Sequence, residues 1–296
     1  MKRRHFLRNA VWFAAGCGAV AACGDRGGTD TGQRPDLLRF SVTDLQGLDP
    51  LQRDYGAFVE ALSEVINIPV EPVPLASFVA AAPALVDRHM DFVFAGPSEY
   101  LLLNARAQAI PVVAVTRPNY RSSILVRADS GIEAIQDLKG KVFGMSSEGA
   151  TAGHLGASQI LADAGLDPLR DLTVRMVGNN RVSALLAGDV DAFAVSSTRT
   201  AKLLSAIDGA AEQVKTLIEG PPLPNDVFVA GTHLDPVFLK WLGETMVAQQ
   251  DKLLAALLQG PENSKYAKSK FAPVTDGDYD QIRTMYQTLG LENLIQ

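Results

Sequence analysis

Cysteine is almost absent: the 296 residues contain two, Cys17 and Cys23, both near the amino end. A folded body that starts after them carries no thiol, which excludes disulfides, cysteine-ligated metals and a cysteine nucleophile. Histidine is scarce too, with four scattered at positions 5, 89, 154 and 233. No His-Glu-x-x-His pair, no Gly-x-Ser-x-Gly elbow and no Gly-Lys-Ser/Thr phosphate loop occurs, so the sequence offers no support for an enzyme, a resident metal or a cofactor. No long apolar run exists either. The longest leading stretch, "VWFAAGCGAVAA", is about half of the roughly 20 residues a spanning helix needs.

The first 23 residues nevertheless have their own grammar. "MKRRHFLRNA" supplies four cations, the short apolar run follows, and small residues precede Cys23; this is the plan of an export signal. Arg3-Arg4-His5-Phe6-Leu7 resembles a twin-arginine signal, and Val20-Ala21-Ala22-Cys23 resembles the lipobox of bacterial lipoproteins, in which the cysteine is acylated. Residues 1–22 are therefore expected to be removed. Cys23 is expected to anchor a periplasmic protein to the membrane, with residues 23–36 as a flexible Gly/Asp/Thr tether. Removal takes away four cations and no acid, leaving 23 basic against 33 acidic residues. With no basic run surviving, nucleic acid is excluded as a partner.

The remaining chain is rich enough in apolar residues, 47% overall, to bury one large core or two medium ones. "LLRFSV" and "IPVEPV" are strand-like and flank "FVEALSEVI", whose apolar residues fall at helical spacing, which makes a strand–helix–strand unit. "FVAAAPALVDRHMDFVFAG" then runs from a helix through a polar turn and an Asp into a wholly apolar strand. About 100 residues later "RVSALLAGDVDAFAVSS" repeats that order. Strands without alternation are buried on both faces, as in parallel sheets covered by helices. The pattern predicts an α/β protein of two Rossmann-like lobes joined by two crossing strands, "SSILVRA" and "NDVFVAG". Lobe 1 spans 37–120 plus 229–296 and lobe 2 spans 121–228. The carboxyl-terminal helices are read as cover for lobe 1, and ligand is expected in the interlobe cleft, beyond the carboxyl ends of the strands.

Four segments in order, "VDRHMDFVFAGPSEYLLLNARA", "IEAIQDLKGKVFGMSSEGATAGHL", "ALLAGDVDAFAVS" and "LPNDVFVAG", resemble the PhnD-like phosphate/phosphite/phosphonate solute-binding proteins. These belong to the type II periplasmic binding proteins. The resemblance implies capture of a small oxyanion and its delivery to an ABC permease. A relative of the same fold would instead present the bound oxyanion to the periplasmic domain of a sensor histidine kinase.

Residue by residue, "GMSSEGATAGHLGASQILADAG" reads as a strand end, a small-residue loop and a helix stopped by Gly165. It would offer free amides and a positive helix end at Ala150, Thr151, Ala152, Gly153 and His154. The family's Ser-Thr-Ser-Gly appears here as Ala-Thr-Ala-Gly, two hydroxyls short. Across the cleft Ser98 is read as a helix cap and a ligand contact, with Tyr100 as a second contact. Asn180, Ser196, Ser197 and Asp226 are further candidates, with Asp226 accepting from a protonated ligand, and Arg117, Arg121 and Arg181 lie near the expected edges.

Overall fold

The computed structural model describes residues 31–296. The stretches read as an export signal, as a lipobox at Cys23 and as the start of a tether lie outside the described residues. In chain order, β1 (Leu38–Val42), β2 (Val70–Pro72), β3 (Phe92–Ala95) and β4 (Ile110–Val115) begin a first sheet. A second sheet follows, made of β5 (Arg121–Arg127), β6 (Val142–Met145), β7 (Thr173–Met176), β8 (Ala192–Ser196) and β9 (Val214–Pro222). The chain then returns to the first sheet for β10 (Asp226–Ala230) and β11 (Phe271–Ala272). The helices are α1 (Leu48–Ile66), α2 (Ala81–Val86), α3 (Pro97–Ala107), α4 (Gly156–Asp163), α5 (Arg181–Ala187), α6 (Ser197–Ser205), α7 (Ala210–Gln213), α8 (Pro236–Ala248), α9 (Gln250–Leu257) and α10 (Asp280–Thr288). Among the described residues no helix is long and apolar enough to cross a membrane.

The strand orders are β11-β4-β10-β3-β1-β2 and β7-β6-β8-β5-β9. Parallel pairs form the heart of each sheet, β2-β1-β3 in the first and β7-β6-β8 in the second. The strands β10 and β5, which enter directly after the chain changes sheet, insert antiparallel. The two segments read as crossings thus each belong to one sheet, and the passages themselves are residues 116–120 and 223–225. The return therefore falls before Asp226 rather than after Phe228.

The repeated Asp-then-apolar-strand motif has one physical job in both halves. The Asp91 carboxylate accepts the Arg39 amide at 2.8 Å, and the Asp91 amide donates to the Arg39 carbonyl at 3.0 Å. Asp191 makes the same pair with Val142, both at 2.8 Å. Each aspartate registers a buried strand against its parallel neighbour and satisfies an otherwise orphaned donor.

Helix α1 shows how local pattern becomes packing. Leu51, Tyr55, Phe58 and Leu62 recur every three or four residues and are all buried, and Asn67 ends the helix in the left-handed region at φ 51°. That stripe meets an aromatic stack on the first sheet, where the Phe228 ring lies 4.2 Å from Phe94 and 5.3 Å from Phe92 and from Phe58. The core of the second sheet is leaner, built around Ile124, Phe143, Leu161 and Ala194.

Two expectations change. The tether is tied down earlier than its composition implies. Arg34 stacks over the Trp241 ring at 4.6 Å and donates to the Ile66 carbonyl, and the Gln33 amide donates to Asp235. The carboxyl-terminal region is also more than cover for the first half. Helices α8 and α9 lie on α1, but α10 packs against both α3 and α4. Tyr279, Met285 and Tyr286 accordingly share an apolar cluster with Ala152 and Leu155.

Candidate functional site

Between the carboxyl ends of the two sheets lies a cleft of about 500 Å³. From the second half it is lined by Ser146 and Ser147 after β6, by Ala150–Gly153, by Gly178, Asn179 and Arg181, and by Ser196, Thr198, Arg199 and Lys202. From the first half come Asp44 after β1, Asp54 and Tyr55 on α1, Gly96 and Glu99 at the start of α3, Asp226 and the 262–265 segment. Arg117 and Tyr120 lie on the passage between sheets.

The join after β6 forms as its small residues suggest. Helical structure begins at Thr151 with one wide turn, Thr151–Leu155, that runs directly into α4. The first amides of such a helix, those of Thr151, Ala152 and Gly153, precede any carbonyl that helical bonding could offer them. Gly153 is required by crowding. A Cβ there would stand 2.1 Å from Ser146 Oγ, because the Ser146 amide donates to the Gly153 carbonyl at 3.1 Å. Gly178 closes the same corner by donating to the Ser146 carbonyl at 2.9 Å.

Of the expected contacts, Ala150, Thr151, Ala152, Gly153, Ser196 and Asp226 line the cleft, and Ser98, Tyr100, His154 and Asn180 do not. Ser98 is not a cap either. Gly96 holds the cap position, and Pro97 opens the helix, where its fixed φ and missing N–H are no handicap. Ser98 lies buried in the first turn, where its amide donates to Thr151 Oγ1 at 3.2 Å and its hydroxyl shares a 2.8 Å bond with the same atom. The Thr151 hydroxyl thereby joins the two halves.

Tyr100 points the other way, fully buried, donating to Asp276 at 2.7 Å and packed on Tyr279. The His154 ring is buried and accepts the Gly149 amide through Nδ1 at 3.1 Å, bracing the loop; burial pulls its pKa below the usual 6.5, against the opposing charge of Glu148. Asn180 caps α5 by position without a side-chain bond, and its neighbour Asn179 faces the cleft instead. Beside the passage the Arg121 amide donates to Ser197 Oγ at 3.0 Å and the Arg121 guanidinium donates to the Gly220 carbonyl at 2.7 Å, and neither residue lines the cleft.

Cations decide the site's polarity. Arg117 is buried, stacks 3.5 Å over Tyr120 and donates to Asp226 at 3.1 Å and to Thr198 at 3.1 Å, which ties the passage to both halves. Burial acts most strongly against its charge, but the Asp226 carboxylate together with the Tyr120 and Tyr266 hydroxyls outweighs that and holds its pKa above the ordinary value. Its Nε has no partner among the described residues. Asp226 is in turn consumed by Arg117 and by the Tyr266 hydroxyl.

Arg181 is buried as well, yet its guanidinium meets only carbonyls, those of Gly178 at 2.8 Å and Ala194 at 3.2 Å. Burial, with the Arg199 charge adding to it, lowers its pKa to about 10, so it remains cationic at neutral pH without a carboxylate partner among the described residues. The sequence reading placed Arg181 only near an edge and missed Asp44, Glu99, Tyr120 and Arg199. Of these, Asp44 and Glu99 obey the rule already in use, since both follow the carboxyl end of a first-sheet strand.

Among the described residues no group of three or more His, Cys, Asp or Glu side chains is arranged to hold a metal. One wall of the cleft thus carries backbone amides and an arginine with no carboxylate partner among the described residues, and the opposite wall is rich in carboxylates.

Comparison with known proteins agrees with this architecture. The family described as "ABC transporter, phosphonate, periplasmic substrate-binding protein" matches residues 40–279. The phosphate-import protein PhnD of Mycolicibacterium smegmatis is 25% identical over 281 residues, covering 87% of each chain. Among solved structures, PhnD1 of Prochlorococcus marinus in complex with methylphosphonate superposes with a TM-score of 0.70 at 18% identity, over 87% of this chain and 100% of that one. The aliphatic sulphonate binding protein SsuA of Escherichia coli superposes at 0.61 and 17% identity, over 87% and 89%. With its match extending across most of the fold just described, the chain belongs to the family of periplasmic substrate-binding proteins of phosphonate ABC transporters.

Proposed function

We propose that this protein captures a small phosphorus oxyanion, of the phosphate, phosphite or phosphonate type, in the cleft between its two sheets and delivers it to an ABC permease. The observation that carries this reading is Arg181, a buried guanidinium held by two carbonyls with no carboxylate beside it among the described residues. A buried cation is stable only when something neutralises or solvates it. The free amides at the start of the 151–163 helical segment line the same cleft, and a helix start favours negative charge through its dipole. Backbone donors thus stand in for the two hydroxyls that Ala150 and Ala152 lack. On this reading the Cys23 lipobox holds the protein at the membrane, close to its permease.

The test is a thermal-shift series on the purified protein with phosphate, phosphite, methylphosphonate and arsenate. A ligand that binds only the folded state at 100 times its Kd stabilises it by about 2.7 kcal/mol, so at least one of these anions should raise the midpoint by several degrees. Arg181→Met should remove that shift. No response to any of the four would refute oxyanion capture.

A further inference from the structure

The fold does not choose between phosphorus and sulfur anions, since proteins described as binding phosphonates and sulphonates both superpose on it. A phosphonate and its sulfonate counterpart present the same tetrahedral head of three oxygens on carbon. Amides and arginines serve both. They differ in the proton: a sulfonate keeps none in neutral water, whereas a phosphorus oxyanion gives up its last one only near neutrality, so its monoanion still has a P–O–H to donate. Whatever discriminates must be an acceptor with capacity to spare.

The carboxylates that line the cleft are Asp44, Asp54, Glu99, Asp226 and Glu262. Four of them have cations. Asp44 pairs with Lys265 at 3.4 Å, Asp54 with Arg53 at 2.7 Å, Asp226 with Arg117 at 3.1 Å and Glu262 with Lys202 at 2.8 Å. Glu99 pairs with none among the described residues. It sits in the first turn of α3, folded back over Gly96, where its Oε2 accepts the Ser98 hydroxyl at 3.0 Å. Its neighbour Ser98 is the residue bonded to Thr151 across the cleft, so the Glu99 turn is held against the helix start whose amides await an anion.

Resting on the oxyanion reading above, we propose that Glu99 is the specificity-determining residue of the cleft. It accepts a hydrogen bond from the P–O–H of the bound ligand and repels an isosteric sulfonate, which has no proton to offer.

The surroundings of Glu99 add a pH signature. Asp44 after β1 and Asp226 at the start of β10 face it with negative charge, Tyr120 from the passage and Tyr286 from α10 face it with neutral phenols, and Arg117 lies beyond Tyr120. Burial first, then the Asp44 charge, pushes its carboxyl up to about 7. Above that pH the ionised group demands a donor. Below it, the protonated group itself donates and tolerates a sulfonate.

The experiment measures affinities for methylphosphonate, each referred to the concentration of its singly protonated form, and for methanesulfonate by calorimetry at pH 6 and pH 8, with wild type and Glu99→Gln. Wild type at pH 8 should prefer methylphosphonate by on the order of 100-fold or more, because a polar site rejects an analogue lacking the expected donor far more strongly than it rejects a change of size. At pH 6 the preference should shrink several-fold. Glu99→Gln should lose most of it at both pH values, chiefly by gaining affinity for methanesulfonate. A Glu99→Gln variant with the wild-type preference would overturn the assignment, as would a wild-type preference unchanged between pH 6 and 8; the second readout needs no variant to fold. If wild type binds neither anion nor any in the thermal-shift panel, oxyanion capture itself fails and the role of Glu99 falls with it.

Discussion

Replacing Asp226 by asparagine removes the negative half of a pair whose two side chains are each about nineteen-twentieths buried, 6% exposed for Arg117 and 4% for Asp226. The carboxylate accepts from Arg117 at 3.1 and 3.4 Å and from the Tyr266 hydroxyl. Asparagine keeps one acceptor for Tyr266 but turns an amide toward, or away from, a guanidinium that has lost its counter-charge. Removing one member of a buried pair destabilises by about 3–5 kcal/mol, mostly through the charge left behind. Asp226→Ala also orphans the Tyr266 hydroxyl, which adds about 1–3 kcal/mol. Against a total stability of roughly 5–15 kcal/mol these are large fractions. Urea unfolding followed by fluorescence and by circular dichroism, required to coincide before free energies are compared, should place Asp226→Asn about 3 kcal/mol or more below wild type and Asp226→Ala lower still. The double variant Arg117→Met/Asp226→Asn should regain at least about 1 kcal/mol over Asp226→Asn, since the stranded charge is gone. A loss below about 1 kcal/mol for Asp226→Asn, or no recovery in the double variant, would refute the idea that this carboxylate serves chiefly to hold Arg117.

Two further outcomes follow from the loop after β6. Gly153→Ala forces a Cβ to within 2.1 Å of Ser146 Oγ and 2.8 Å of Ser146 Cβ; overpacking of this kind destabilises by about 1–3 kcal/mol and should weaken oxyanion binding at least tenfold in a titration, with Ser146→Gly in the same chain restoring much of both. An unaffected single variant would show that the turn does not carry the ligand. His154, whose pKa burial lowers from 6.5, takes up a proton more readily unfolded than folded, so its contribution to stability is present above about pH 6.5 and is lost as pH falls from there toward the folded-state value. His154→Asn, which can still accept the Gly149 amide, should flatten the fall of the urea midpoint between pH 7 and 5; an identical slope would mean other groups set it.

The wide reach of the sequence in this protein comes from motifs whose meaning is local. A run such as "MDFVFA" or "VDAFAV" announces a doubly buried strand whichever strand lies beside it, and the small residues of "SSEGATAG" announce a loop with free amides whatever the ligand. Two sheets, a cleft at their carboxyl ends and the place of residues 150–153 on its wall were therefore legible. The contacts read from isolated side chains were less so. Tyr100 follows a cleft-facing glutamate by one residue, and a rotation of about 100° per helical residue is enough to turn it into the Tyr279 cluster.

Composition and order thus determined the α/β class, the paired sheets and the loop that brings backbone donors to the cleft, because hydrophobic period and glycine placement act over a few residues. Only the tertiary structure decided which charges are already spent. Asp226 lies 109 residues from Arg117 and 40 from Tyr266, and Thr151 lies 53 from Ser98. Ion pairing and burial are properties of groups brought together by the whole fold, and it is that bookkeeping which, among the described residues, leaves Arg181 without a carboxylate and Glu99 without a cation.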